Sequence, residues 1–445
     1  MKREYFGTDG VRGPYAGPVI NENFAARLGE AAARWASAQG YPGGEVLIGR
    51  DTRASGPALE RALAAGLKAG GLRPVSLGVT PTPAVARAVI ARGATLGVVV
   101  TASHNPAADN GIKFFAAGGR KLTDSEESAI EALLPLQATQ LDTDELPFIE
   151  ANADYVAALA SLLPAGTLAG WKIVVDAGHG ATAQTTSEAL RRAGAEVELI
   201  GCAPDGFNIN AGVGSEHPEW LARAVVACGA RLGVAHDGDG DRCVLCDETG
   251  SLLDGDEILT ILALDALSRG ELAAGTLVVT VQSNLGVDAA IRAAGGRVER
   301  TDVGDRHVLE RLRETGARLG GESSGHIVDL NLSPTGDGLG AVLGILAVMR
   351  ATGRPLSALR AGLIKYPQGQ RSLKVAAKRP MAECVALTRE LALLTSELGD
   401  AGRVMVRFSG TEAKLRLLAE AGTQATVDGA LERLTAAACI DLKLL

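Results

Sequence analysis

The residues whose types and spacing could do chemistry sit in a few short loops. Asp237-Gly-Asp239-Gly-Asp241 places three carboxylates at alternate positions, separated by glycines that let the backbone curl around a cation. Oxygen-only ligands select a hard ion. The same residues match positions one, three and five of a calcium loop, with Glu248 at twelve, but Arg242 stands where that loop needs its glycine. The flanking Leu232-Gly-Val-Ala235 and Cys243-Val-Leu-Cys246 read as strands rather than the helices of a calcium hand. Magnesium fits better, because three carboxylates leave coordination positions open for a phosphate oxygen. A second loop, Thr101-Ala-Ser103-His104-Asn105-Pro106, follows the buried-strand candidate Leu96–Val100, and Pro106 stops regular pairing, so Ser103 is presented on a loop. Alone it reads equally as a turn closed by Ser and Asn side chains.

Two further motifs are decoys. Gly321-Glu-Ser-Ser-Gly325 matches the G-x-S-x-G nucleophile elbow, yet the last histidine of the chain, His326, lies too close to follow a triad acid downstream. Gly178-His-Gly180-Ala-Thr-Ala183 matches a nucleotide fingerprint, but Glu198 sits inside the next strand-like run instead of ending it. Arg407-Phe-Ser409-Gly410-Thr411 combines a guanidinium, two hydroxyls and a glycine amide, the parts of a phosphate clamp and equally of a capped turn.

An internal repeat positions these loops. Leu67-Lys-Ala-Gly-Gly-Leu-Arg-Pro-Val75, Leu190-Arg-Arg-Ala-Gly-Ala-Glu-Val197 and Ile291-Arg-Ala-Ala-Gly-Gly-Arg-Val298 each read as a helix closed by glycine and followed by a strand. Downstream of each comes Arg92-Gly-Ala-Thr-Leu-Gly-Val98, Cys228-Gly-Ala-Arg-Leu-Gly-Val234 or Thr315-Gly-Ala-Arg-Leu-Gly-Gly321, leading into the Ser103 loop, the Asp237 loop and the Glu322 loop. Ligands gather beyond the carboxyl ends of strands in α/β units, so three related domains could aim three loops at one cleft. The expected divisions are 1–150 for the Ser103 domain, 151–252 for the metal-loop domain, 253–365 for the Glu322 domain and 366–445 for a smaller unit entered through the linker-like Tyr366-Pro-Gln-Gly-Gln370.

The chain has 445 residues, 47% of them apolar, 22% charged and 3% aromatic, with a formal net charge of −8, which argues against nucleic acid or an anionic membrane as partner. No apolar leader or spanning segment is read, and a cytoplasmic location is expected. The six cysteines do not read as a disulfide framework, and Cys243 and Cys246 form a lone C-x-x-C that reads as buried thiols.

Taken together, the four ordered motifs resemble the α-D-phosphohexomutase family over essentially the whole chain. That resemblance implies an α/β protein with three related mixed α/β domains plus a smaller α+β C-terminal domain around a central cleft. It implies that Ser103 carries a phosphoryl group that passes to a sugar phosphate and back through a bisphosphate, and that Ser103, Asp237, Asp239 and Asp241 surround Mg2+. Arg12, Lys113, Arg242 and His326 match positions near the reacting hydroxyl, with Lys113 and His326 as acid/base candidates. His104, Glu322 and Ser324 match sugar-binding positions, and Arg407, Ser409, Gly410, Thr411 and Arg416 the clamp on the non-reacting phosphate. Ala413 stands where the family usually has proline. The phrases Phe6–Gly13, Asn208–Asn210, Gly214–Glu219 and Val303–Arg306 look like the members that interconvert glucosamine 6- and 1-phosphate and so supply UDP-N-acetylglucosamine and cell-wall synthesis. Neutral hexose phosphates and a non-catalytic sugar-phosphate binder are the alternatives. The implied partners are a hexosamine phosphate, glucosamine 1,6-bisphosphate or a similar bisphosphate, a second copy of the chain in a homodimer, and a kinase or autophosphorylation to prime Ser103.

Overall fold

The computed structural model describes residues 3–7, 9–138, 145–409 and 413–445. The chain divides into two compact units, one of residues 1–282 and 294–362, the other of residues 283–293 and 363–445.

The first unit holds three sheets of one design. In each, a central strand has a parallel neighbour on both sides, and one of those neighbours is followed by an antiparallel strand. The central strands are Glu45–Arg50, Lys172–Asp176 and Thr276–Thr280. The turn from the parallel to the antiparallel strand is the chemical loop every time: Leu96–Val100 to Asp109–Ala116, Leu232–His236 to Cys243–Asp247, and Leu319–Gly321 to Ile327–Asp329. The sequence repeat is therefore a repeat of topology. Its glycines have a conformational cause, since Gly93, Gly229 and Gly316 close their helices with φ of 62°, 65° and 71°, a region that a side chain disfavours. Leu96–Val100 and Leu232–His236 are buried along their whole length. Each fully buried Val or Leu contributes about 1.5 to 3 kcal/mol, so the loops rise from firm bases. The first sheet also gains the edge strand Val11–Pro14, whose register puts Arg12 opposite Gly111.

The second unit contains the three-stranded antiparallel sheet Gln368–Lys374, Lys414–Ala421, Gly402–Phe408, with helices Val385–Leu398 and Gln424–Asp441 packed on it around Leu387, Leu415, Leu417, Val427 and Leu434. The segment read as a linker is partly strand, because pairing with Lys414–Ala421 begins at Gln368. Helix Leu285–Ala293 groups with this unit although the strands on either side of it in sequence do not. Its first amide donates to the fully buried Glu420 at 2.6 Å, and Asn284 exchanges two hydrogen bonds with the Tyr366 backbone, each 2.9 Å. No helix of the described residues is long and apolar enough to cross a membrane.

Candidate active site

The Ser103 loop is held from behind by a guanidinium. Arg53, 1% exposed, pairs with Asp51 at 2.9 Å and donates to the carbonyls of Ser103 at 3.1 Å, Asn105 at 2.8 Å and Asp109 at 2.9 Å, and also to that of Pro106. Asn210 donates to the Ser103 and Asn105 carbonyls at 2.8 and 3.1 Å. These bonds stabilise a left-handed backbone at Ser103, φ 53°, which a non-glycine residue adopts at a cost of about 1 kcal/mol or more. Its hydroxyl is thereby turned to donate to Asp237 Oδ2 at 2.5 Å, with His104 Nδ1 3.2 Å away.

The metal loop approaches so closely that a Cβ on Gly238 would meet the Ser103 carbonyl at 2.7 Å, which is why glycine separates the first two carboxylates. Oxygens of Asp237, Asp239 and Asp241 lie within 4.8 Å of one another, and all three residues are buried. Burial and the charges of Asp241 and Asp239 push the Asp237 carboxyl well above the usual range. Burial acts on Asp241 too, but Lys113 and His326 outweigh it and hold that carboxyl well below the usual range. Oδ1 of Asp239 and Oδ1 of Asp241 are buried without a hydrogen-bond partner among the described residues. Crowded carboxylates with unused oxygens are the donor set of a hard cation, and the residues present fit one.

Lys113 is the cation now nearest them, with Nζ 3.0 Å from Asp239, 3.3 Å from Asp241 and 2.8 Å from Asp9. Burial opposes its charge, but those three carboxylates outweigh it and hold the ammonium protonated. His326 lies 3.6 Å from Asp241 through Nδ1 and 3.6 Å from Asp305 through Nε2, and these carboxylates likewise outweigh burial and raise its pKa.

A cavity of about 340 Å³ opens in front, walled by Asp9, Arg12, His104, Asp241, Arg242, Asp305, Glu322 and His326 among others. That is room for a hexose phosphate. Two cavities of about 480 and 730 Å³ elsewhere in this unit are lined by none of the sequence candidates. Arg12 leans on Asp9 at 2.8 Å. The Arg242 side chain makes no hydrogen bond among the described residues, its nearest carboxylates, Glu216 and Asp241, being 3.8 and 3.9 Å away. Glu322 accepts the Gly304 amide at 2.9 Å. Ser324 is exposed at the tip of its loop and absent from the cavity wall. Lys113 stands behind that wall.

In the second unit, Arg407 faces Arg416 directly across an antiparallel pair, and neither is ion-paired among the described residues. Like charges so placed repel unless an anion lies between them. Ser409 is buried, its amide bonded to the Lys414 carbonyl at 2.8 Å. Gly410 and Thr411 lie outside the described residues. Cys243 and Cys246 are buried free thiols, and burial pushes Cys246 up to about 12.

Sequence reasoning passed over Arg53 with Asp51, and over Asp9, Lys121 and Asp305. Asp9 and Asp305 lie inside phrases already singled out, Phe6–Gly13 and Val303–Arg306, whereas Arg53 gave no periodic or motif signal.

Comparison with known proteins decides the family. Phosphoglucomutase/phosphomannomutase alpha/beta/alpha domains I, II and III match residues 3–139, 153–250 and 254–366, and the C-terminal domain of the same series matches 373–437. Phosphoglucosamine mutase of Aeromonas hydrophila is 47% identical over 425 residues, 94% of this chain and 95% of the relative. The chain belongs to the phosphoglucomutase/phosphomannomutase family. Within this family of isomerases, the phosphoglucosamine mutase of Frankia casuarinae is 45% identical over 97% of both chains. Among solved structures, a phosphoglucomutase/phosphomannomutase family protein of Burkholderia thailandensis superposes with TM-score 0.82 at 24% identity, over 98% of both chains. An Aspergillus fumigatus N-acetylphosphoglucosamine mutase, solved with GlcNAc-6P and magnesium, shares the fold at TM-score 0.65 and 19% identity, over 98% of this chain and 95% of that one.

Proposed function

We propose that this phosphohexomutase interconverts glucosamine 6-phosphate and glucosamine 1-phosphate through phosphorylated Ser103. The observation that carries the reading is the Ser103 hydroxyl, turned by a left-handed backbone onto Asp237 beside His104, which lines the 340 Å³ cavity. The names of the relatives support the amino sugar.

Asp237, Asp239 and Asp241 would hold Mg2+, which when bound offsets the charge of the phosphoryl oxygens. A sugar hydroxyl attacks the phosphorus on Ser103, the bond to Ser103 Oγ breaks, and Oγ leaves as the alkoxide that takes a proton. The attacking hydroxyl gives its own proton to His326, and the Lys113 ammonium supplies the proton that Oγ takes. The bisphosphate then turns, and Ser103 receives the other phosphoryl group with the proton transfers reversed. Arg12, Arg242 and His104 meet the anionic sugar, Glu322 and Ser324 its hydroxyls, and Arg407 and Arg416 with Ser409, Gly410 and Thr411 the phosphate that is not reacting. One sheet per segment supports the division at 150, 252 and 365. A glucosamine bisphosphate or a kinase primes Ser103, and the reaction belongs to the cytoplasm.

The test is kcat/KM for glucosamine 6-phosphate, glucose 6-phosphate and mannose 6-phosphate, with the phosphate on Ser103 verified by intact mass. Glucosamine 6-phosphate should win. The reacting hydroxyls and both phosphates are common to all three, and one hydrogen bond to a charged group contributes about 1.5 to 3 kcal/mol, so the margin should be roughly ten- to hundredfold. A neutral sugar turning over faster would overturn the amino-sugar assignment.

A further inference from the structure

Six side chains around the cavity close a ring of alternating charge. From Asp241 it passes to Lys113 at 3.3 Å, Asp9 at 2.8 Å, Lys121 at 2.6 Å and Asp305 in direct contact, then through His326 at 3.6 Å back to Asp241 at 3.6 Å. The ring draws on all three sheet-bearing segments of the first unit. Two of its cations are the acid/base pair of the proposed mechanism. The third, Lys121, belongs to no motif. It is 8% exposed, does not line the cavity and does not touch the carboxylate triad. Among the described residues its ammonium pairs with Asp9 and Asp305, and those are the carboxylates on the far sides of Lys113 and His326.

The phrase Val303–Arg306 explains how Asp305 arrives there. Asp305 opens helix Asp305–Thr315 after Gly304, while the next residue, Arg306, pairs with Glu127 at 2.7 Å and with Asp124. Two adjacent side chains thus grip one stretch of the first domain, residues 121–127, and seat the Asp305 carboxylate between Lys121 and His326.

We infer that Lys121 is a positioning residue: by holding Asp9 and Asp305 it sets the separation of Lys113 and His326 without touching the sugar. The inference rests on the phosphoryl-transfer reading above. A transfer that must be assisted first at one hydroxyl and then at another needs its two proton carriers fixed relative to each other, and misplacement by about 1 Å can cost on the order of a hundredfold. A cation that merely attracted an anionic substrate would act on KM instead.

The experiment is a double-mutant cycle on the magnesium-loaded, Ser103-phosphorylated full chain, with Lys121→Met, Lys121→Arg, Asp305→Asn and Lys121→Met/Asp305→Asn. Lys121→Met should lower kcat about ten- to hundredfold with KM held within about twofold. Lys121→Arg, which keeps the charge, should recover at least part of that loss. The double variant should be no slower than the worse single one, because both remove the same link. If Lys121→Met does not fold, Asp305→Asn, with its shape conserved, carries the same expectation for kcat, and Lys121→Arg carries the one for KM, since Asp305 itself lines the cavity. Losses that multiply, or that appear in KM alone, overturn the inference while wild-type turnover leaves the proposed function standing. A wild-type protein inert on every hexose phosphate overturns both.

Discussion

The two basic regions of the molecule handle charge in opposite ways. Around Ser103 the buried cations are answered: Lys113 touches three carboxylates, Arg53 is paired with Asp51, and the half-buried Arg12 leans on Asp9. On the C-terminal sheet Arg407 and Arg416 face each other with no carboxylate between them among the described residues. Apart from Arg242, whose nearest carboxylates are 3.8 and 3.9 Å away, the cations of the first region are paired from within. Among the described residues the second region keeps a positive charge that no carboxylate answers, and a phosphate bound there would answer it. Buried charges must be paired because desolvation costs several kcal/mol, while exposed guanidinium groups can wait in water.

The largest effect expected anywhere is at the serine. Ser103→Ala should abolish turnover, because in the proposed mechanism Ser103 is the covalent acceptor of the phosphoryl group, while changing folding stability by only about 1 kcal/mol. A coupled assay and a thermal melt check both halves, and near wild-type activity would break the phosphoserine mechanism. Asp239→Asn comes next. It removes one of the three proposed ligand charges, so magnesium affinity and rate should fall together by on the order of tenfold or more. Calorimetric titration with magnesium beside the assay measures this, and full activity in excess chelator would count against the metal role.

Much of this contrast is legible in the sequence. The three loops and the strands beneath them were readable because each ends an apolar run at a helix-closing glycine phrase, as at Gly93, Gly229 and Gly316. Local chemistry writes itself locally. Arg53 and Lys121 were not readable, since apart from Asp51 their partners lie some 50 to 180 residues away along the chain and only the packed fold brings them together. Asp9 and Asp305 were visible as letters of singled-out phrases, but not as two ends of one ring. Helix Leu285–Ala293 reads as a crossover of the third domain, and its pattern says nothing of Glu420, the buried carboxylate that caps its first turn from the C-terminal unit.

Removing one cation from each region sharpens the comparison further. Lys113→Met in metal-free protein leaves the buried Asp239 and Asp241 without their shared ammonium, and breaking such a pairing should cost roughly 3 to 5 kcal/mol of folding stability. Denaturant unfolding would read the loss, and it should shrink when magnesium is added, because the added cation takes over the orphaned carboxylates. A variant as stable as wild type without metal would mean that the triad is already neutral in the folded protein.

The smallest effect on stability is the most telling. Arg416→Ala removes an exposed guanidinium whose nearest cross-strand neighbour is another guanidinium, Arg407. Like charges directly opposite each other on a sheet destabilise it by roughly 0.2 to 1 kcal/mol, so the melting temperature should hold or rise slightly. Activity should move the other way. Losing one charged hydrogen bond to the non-reacting phosphate is worth about 1.5 to 3 kcal/mol, a fall of roughly ten- to hundredfold in kcat/KM. The opposed signs are the point of the measurement. A residue kept for folding loses stability when it is truncated, whereas one kept for an absent anion loses only function. If Arg416→Ala melts earlier than wild type while turning over normally, the C-terminal guanidinium pair is structural, and the contrast between a self-neutralised centre and a waiting clamp is wrong.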